Sequence, residues 1–184
     1  MKRKILLVGA STGGPRQIKE MLQSIETLSC TVIIAQHMQE KVLPYFIHDL
    51  QESLPTKVFS TPLQTDFREP SIIVCSNTVA IRSKANTFEI YNHPQGQSYT
   101  PDINILFNSF ADFTHEFDID VLILSGIGSD GVDGAQLLES KGANIFAEDE
   151  ESSAVYGMPK VAFERGIVKQ VKSLSEIKSY FQGL

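Results

Sequence analysis

The chain has 184 residues, of which 42% are apolar and 21% are charged, and this ordinary globular balance excludes disordered, collagen-like and disulfide-scaffold chains. Sixteen basic and twenty-two acidic residues give a formal net charge of −6, which argues against non-specific binding of nucleic acid. At about 150 residues per domain, the length predicts a single domain over residues 1–184.

The first half of the chain alternates short apolar runs with segments of helical periodicity, which is typical of βα units. The predicted elements are a strand at residues 4–8, a helix that begins near Pro15 and buries Ile18, Met21, Leu22 and Ile25, a strand at residues 31–35, a helix with the stripe Val42, Phe46 and Leu50, and a strand at residues 71–75.

The second half begins with a change of period to two between Val79 and Tyr91, which predicts an antiparallel hairpin. The remaining predictions are a loop at residues 92–101, a helix with Ile105, Phe107, Phe110 and Phe113, a central strand at residues 121–124, a Gly-rich loop, a helix from about Val132, a strand at residues 144–147, a helix from about Pro159 and an amphipathic C-terminal helix. Together they predict an α/β fold: a doubly wound, mostly parallel sheet with helices on both faces and one antiparallel hairpin.

Two cysteines, Cys30 and Cys75, lie far apart and belong to no CxxC or Cys/His pattern. Their spacing argues against a disulfide framework and against a structural metal site, and it predicts buried thiols in a reducing compartment. The apolar stretch at the N-terminus is too short for a signal peptide, and no run approaches the roughly 20 apolar residues of a membrane span. We therefore expect a cytoplasmic protein without direct membrane insertion.

Polar side chains follow three of the predicted strands. Ser11 comes after the first strand, His37 after the second, and Asp130 lies in the Gly-rich loop after the central strand. Because ligands of open α/β sheets bind beyond the carboxyl ends of the strands, we expect these residues to share one rim. A hydroxyl becomes a good nucleophile when an imidazole takes its proton, and a carboxylate fixes the imidazole tautomer. The three residues therefore predict a catalytic group.

The local motif at Ser11 supports this interpretation. Gly9-x-Ser11-x-Gly13 matches the nucleophile elbow, and a helix that begins behind it aims backbone N–H groups at an oxyanion. The order Ser, His, Asp and the lack of earlier strands argue against an ordinary α/β-hydrolase. Taken singly, Ser11 and Thr12 fit a helix cap, His37 a structural histidine and Asp130 a turn former; their shared rim favours catalysis.

Other ionisable residues lack such a setting. We expect His48, His93 and His115 to be surface residues. The acidic run at residues 148–151 predicts a solvated loop, with a position bordering the cleft as the alternative, because the run follows a strand end.

Five segments, taken in order along the chain, resemble the catalytic domain of the chemotaxis protein-glutamate methylesterase/glutaminase family. They are Gly9-Ala10-Ser11-Thr12-Gly13-Gly14-Pro15, Gln36-His37-Met38, Pro101-Asp102-Ile103-Asn104-Ile105-Leu106-Phe107, Ser125-Gly126-Ile127-Gly128-Ser129-Asp130-Gly131 and Val155-Tyr156-Gly157-Met158-Pro159.

The resemblance implies a function for these residues. It implies Ser11 as nucleophile, His37 as base, Asp130 as the orienting carboxylate, and Thr12, Gly13 and Ile127 around the substrate and oxyanion. It also implies hydrolysis of glutamate γ-methyl esters on the cytoplasmic domains of methylated chemoreceptors, deamidation of receptor glutamines, and no metal or organic cofactor. The rim loops near residues 92–101 and 148–156 are the expected docking surfaces.

The chain departs from the family pattern in three places. Ile127 replaces a usual methionine, Gln39 replaces a usual proline, and the receiver domain that typically precedes this domain has no counterpart in these residues. We therefore expect either an excised domain or a stand-alone form, and the sequence indicates no regulator.

Three other functions are considered. A nucleotide-binding Rossmann-like module would explain the Gly-rich turn after the first strand, but the chain has no G-x-G-x-x-G, no P-loop lysine and no acidic residue after the second strand. The other two are a serine esterase acting on a small ester and a non-catalytic adaptor that retains the fold.

Overall fold

The computed structural model describes residues 2–94 and 99–182. Its strands are β1 (Arg3–Ala10), β2 (Thr31–Gln36), β3 (Val58–Ser60), β4 (Leu63–Thr65), β5 (Ile72–Val74), β6 (Val79–Lys84), β7 (Thr87–Asn92), β8 (Phe117–Ile123), β9 (Asn144–Glu148) and β10 (Gln170–Lys172). Its helices are α1 (Gly14–Gln23), α2 (Leu43–Ser53), α3 (Ile103–Phe110), α4 (Val132–Ser140), α5 (Met158–Glu164) and α6 (Leu174–Gln182), with a 3₁₀ turn at Ala111–Phe113.

The described residues form a parallel sheet with the strand order β10-β9-β8-β1-β2-β5-β3, and β4, β7 and β6 form a small antiparallel sheet. The predicted α/β architecture and its hairpin are confirmed. Strands β3, β4 and β10 were not predicted, because each is short and contains no buried residue, so no apolar run marks it in the sequence. The equally short β5 was predicted because all three of its residues are apolar and buried.

Two helical stripes differ from the prediction. Val42 precedes the first residue of α2 and is 46% exposed, so Leu43 takes its place in the core. In α3 the buried residues are Ile103, Leu106, Phe107 and Phe110, whereas Ile105 is only partly buried. Part of the predicted loop at 92–101, residues 95–98, lies outside the described residues.

Two apolar cores cover the two faces of the parallel sheet. In β1, Ile5 and Leu7 belong to one core and Leu6 and Val8 to the other, because successive side chains of a strand point to opposite faces. The first core is completed by α3, α4, α5 and the β6–β7 hairpin, and the second by α1, α2 and α6. The central strands are therefore apolar on both faces.

The strand register determines where the predicted site residues lie. β1 lies between β8 and β2, with Ala10 opposite Gln36 and Gly9 opposite Ile123. The three strands therefore end at the same edge of the sheet, and the loops after them lie side by side.

Candidate active site

Ser11 is the first residue after β1 and is partly exposed. Its backbone N–H donates to the Ser125 carbonyl at 2.9 Å, and the Ala10 carbonyl before it accepts from the His37 N–H at 2.9 Å. A Cβ atom on Gly126 would lie 2.7 Å from Ser11 Cβ, so glycine is needed at that position for the two loops to approach. Ser11 is thus held between the ends of β2 and β8.

His37 and Asp130 are in direct contact. Asp130 Oδ2 lies 2.7 Å from His37 Nε2, and both side chains are 8% exposed. The Asp130 carboxylate also accepts from the backbone N–H groups of Ile103 at 2.9 Å and Asn104 at 3.1 Å, in the first turn of α3. Burial raises the pKa of Asp130, but these hydrogen bonds from His37, Ile103 and Asn104 outweigh burial and hold the pKa below its usual value.

The orientation of the His37 ring leaves one nitrogen free. Because Nε2 contacts Asp130, a proton on Nε2 leaves a lone pair on Nδ1, which is buried and has no hydrogen-bond partner. Among residues 2–94 and 99–182, no hydrogen bond joins Ser11 Oγ to His37. The structure therefore pairs two of the three predicted catalytic residues and places Ser11 at the end of the neighbouring strand.

The residues predicted around the oxyanion lie on the two loops beside Ser11. Thr12 is exposed, Gly13 has φ +90°, and Ile127 is 61% exposed. In the part of the chain that the structure describes, the backbone N–H groups of these three residues donate no hydrogen bond. They are available to a ligand.

Three further residues lie near the site that the sequence did not identify as site residues. The Tyr99 ring stacks on His37 with centroids 4.8 Å apart and planes 9° apart. Gln36 Nε2 donates to the Ser11 and His37 carbonyls, each at 2.8 Å, and so ties the ends of β1 and β2 together. Glu148 is fully buried in β9, and the prediction of a solvated loop is wrong for this residue.

A cleft of about 540 Å³ opens beside His37. It is bordered by the loop after β2, the loop after β5 and residues 99–101. A second cleft of about 560 Å³ continues along α2 toward β3 and shares four residues with the first, namely Glu40, Leu43, Ser76 and Asn77. The imidazole therefore borders an open groove that could admit a side chain of a larger substrate.

Within residues 2–94 and 99–182, no group of three or more histidine, cysteine, aspartate or glutamate side chains is arranged to hold a metal ion. In the same described part of the chain, no helix has both the length and the apolar character needed to cross a bilayer.

Two relatives align with nearly the whole of this chain. A protein-glutamate methylesterase/protein-glutamine glutaminase of Saccharophagus degradans is 29% identical over 178 residues, which are 95% of this chain and 48% of that protein. One of Dechloromonas aromatica is 33% identical over 178 residues, again 95% of this chain and 51% of that protein. The chain spans about half the length of these relatives.

A solved structure and a family model both match this chain along nearly its whole length. The Thermotoga maritima CheB methylesterase catalytic domain superimposes with a TM-score of 0.86 at 21% sequence identity, covering 100% of this chain and 99% of that one. The model of the CheB methylesterase family matches residues 6–181. Because that match spans nearly the whole sequence, this chain belongs to the CheB methylesterase family.

Proposed function

We propose that this chain is a serine hydrolase that removes methyl groups from glutamate γ-methyl esters of chemoreceptors. The observation that carries the proposal is the His37 ring, whose Nε2 contacts Asp130 and whose Nδ1 is buried without a partner, beside the strand that Ser11 follows. The relatives are named protein-glutamate methylesterase/protein-glutamine glutaminase, which supports ester hydrolysis and a second, deamidating activity. These names also favour an esterase over a nucleotide-binding module.

Acylation begins when the ester enters the groove beside Ser11. His37 Nδ1 takes the proton of the hydroxyl as Ser11 Oγ attacks the ester carbonyl carbon. The backbone N–H groups of Thr12, Gly13 and Ile127 stabilise the tetrahedral oxyanion. His37 then returns the proton to the methoxy oxygen, and methanol leaves the acyl-enzyme.

Deacylation repeats the same steps with water. His37 Nδ1 takes a proton from water, the oxygen attacks the acyl carbon, and Ser11 leaves with the proton while glutamate is released. Asp130 accepts a hydrogen bond from His37 Nε2 in both halves and stabilises the imidazolium. In deamidation, ammonia leaves in place of methanol.

The partner surface surrounds the same rim. Large apolar side chains are exposed there: Tyr99 is 48% exposed and Ile127 is 61% exposed, and at the start of α2 Val42 and Tyr45 are 46% and 76% exposed. Such side chains suit contact with the cytoplasmic helices of a chemoreceptor, so the proposed setting is the cytoplasm. Glu148 is buried and takes no part in docking.

The proposal is tested by methanol release from methylated chemoreceptor membranes. We expect release by the wild type and by Ser83→Ala, a control at an exposed hairpin serine, and a loss of several orders of magnitude in Ser11→Ala. Equal release by Ser11→Ala would reject the nucleophile. Hydrolysis of p-nitrophenyl acetate without methanol release would instead indicate a small-ester esterase.

A further inference from the structure

Glu148 is a buried carboxylate that the proposed mechanism does not use. It lies at the end of β9 with no exposed surface. Within the described ranges 2–94 and 99–182, no lysine, arginine or histidine forms an ion pair with it. A buried carboxylate without a counter-cation costs free energy, so hydrogen bonds must compensate for the loss of hydration.

The carboxylate joins three separate segments. Oε2 accepts from Ser125 N at 3.0 Å and from Ser125 Oγ at 2.9 Å, at the end of β8. Oε1 accepts from Gln17 Nε2 at 2.6 Å, on α1, and from Ser152 Oγ at 3.1 Å, on the loop after β9. All four donors are neutral.

Two of these segments also contact the loop that carries the proposed nucleophile. The Ser125 carbonyl accepts from the Ser11 N–H at 2.9 Å, and Ser125 Oγ accepts from Ala154 N at 2.9 Å. A Cβ on Gly13 would lie 2.5 Å from Ala154 Cβ, so Ala154 packs directly against the turn after Ser11. A shift of Ser125 would therefore move both Ser11 and the turn that follows it.

We infer that Glu148 is a positioning residue, which fixes Ser125 and through it the backbone of Ser11. This inference rests on the proposed function, because it takes Ser11 as the nucleophile. It assigns the effect to the hydrogen bonds that Glu148 accepts and not to its negative charge.

Glutamine and leucine at position 148 separate these two effects. In Glu148→Gln, the side-chain oxygen can still accept from Ser125, and the new amide group would face Gln17. Gln17 Oε1 is buried and has no hydrogen-bond partner, so rotation of the Gln17 amide would present an acceptor to the new donor. This rotation gives up only the longer hydrogen bond, 3.2 Å, from Gln17 Nε2 to the Ser152 carbonyl. Glu148→Leu removes every acceptor. Asp149→Asn is the matched control, because Asp149 contacts Ser152 at 2.7 Å without reaching Ser125.

The experiment measures kcat and KM on p-nitrophenyl acetate, with active sites counted by fluorophosphonate labelling and folding followed by thermal unfolding. A displaced nucleophile lowers the rate at each active site, so we expect kcat per labelled site to fall about 10- to 100-fold in Glu148→Leu. KM should stay near the wild-type value, and Glu148→Gln and Asp149→Asn should keep nearly full kcat. A purely structural role would lower the melting temperature and the number of labelled sites but not kcat per site.

A second variant covers the case in which Glu148→Leu does not fold. Ser125→Ala removes only the hydroxyl between Glu148 and Ala154, and we expect a several-fold loss of kcat per labelled site. Unchanged kcat per site in the folded variant would overturn the inference, as would an equal loss in Glu148→Gln. Activity or labelling in Ser11→Ala would instead reject the proposed function itself.

Discussion

Asp130 has two sets of partners, and the proposed catalytic geometry depends on both. Its carboxylate accepts from His37 Nε2 and from the Ile103 and Asn104 N–H groups at the start of α3. The proposed base, His37, is thereby linked to a helix that is packed in the core through Leu106 and Phe107. Orientation of the imidazole is therefore set by buried structure and not by the loop after β2 alone.

Asp130→Asn tests this role, because an amide that donates to His37 Nε2 would move the ring proton to Nδ1 and remove the base. We expect kcat to fall about 10³- to 10⁴-fold, as in other triads that lose the carboxylate. The measurement is methanol release at neutral pH, with KM determined in parallel. A kcat within tenfold of the wild type would contradict the assignment.

Asp130→Asn also tests how much the ionised carboxylate contributes to the free energy of unfolding. The pKa of Asp130 is held below 3.8 in the folded state, so the carboxylate stabilises the fold fully above pH 3.8, and this contribution is lost as the pH falls through the lowered pKa. The difference in unfolding free energy between wild type and Asp130→Asn should shrink as the pH falls below 3.8, where the carboxylate becomes protonated. Denaturant titrations in acid, down to pH 3, provide the measurement, and a difference that grows below pH 3.8 would contradict it.

At the scale of the element, the turn between β1 and α1 determines where Ser11 stands. α1 begins at Gly14, and the Gly14 N–H donates to the Ser11 carbonyl at 2.9 Å. Gly13 has φ +90° and lies against Ala154, so the turn requires a residue without a side chain.

Gly13→Ala should therefore lower the free energy of unfolding by more than the strain of an alanine in the left-handed conformation, because the new Cβ would also clash with Ala154. Gly142 is the matched control, since it has φ +94° with no atom within 4 Å of an added Cβ. We expect Gly142→Ala to lower the unfolding free energy by about 1–2 kcal/mol without changing kcat. Gly13→Ala should lose more stability and also lose activity, as measured by urea unfolding and methanol release. Equal effects of the two substitutions would contradict the packing argument.

At the scale of the whole molecule, the two apolar cores bury the free thiols of Cys30 and Cys75, as predicted. Cys75 lies in the core on the α3 side and Cys30 in the core on the α1 side, with 0% and 4% exposure. Burial raises the pKa of Cys75 to about 12 and that of Cys30 to about 11, so neither thiol is ionised at neutral pH.

Thiol labelling should consequently report unfolding of the fold as a whole. We expect no reaction of Cys30 or Cys75 with iodoacetamide at pH 7.5 in the native protein, and full reaction of both in urea, as followed by mass spectrometry. Rapid labelling of either cysteine under native conditions would contradict the packing of that core.

Apolar periodicity by itself determined the order of the long strands and helices. Because the carboxyl ends of parallel strands meet at one edge, it also determined that Ser11, His37 and Asp130 would share a rim. Strands β3, β4 and β10 could not be predicted, since they are short and contain no buried residue that would form an apolar run.

The tertiary structure alone decided how these side chains are used. Only the folded chain shows that His37 turns Nε2 to Asp130 and lies under Tyr99. The fold also determines that Glu148 is buried within the acidic run at residues 148–151. Its hydrogen-bond donors Gln17 and Ser125 lie 131 and 23 residues away in the sequence. Side-chain orientation depends on partners that are remote in the chain, and a local pattern carries no record of them.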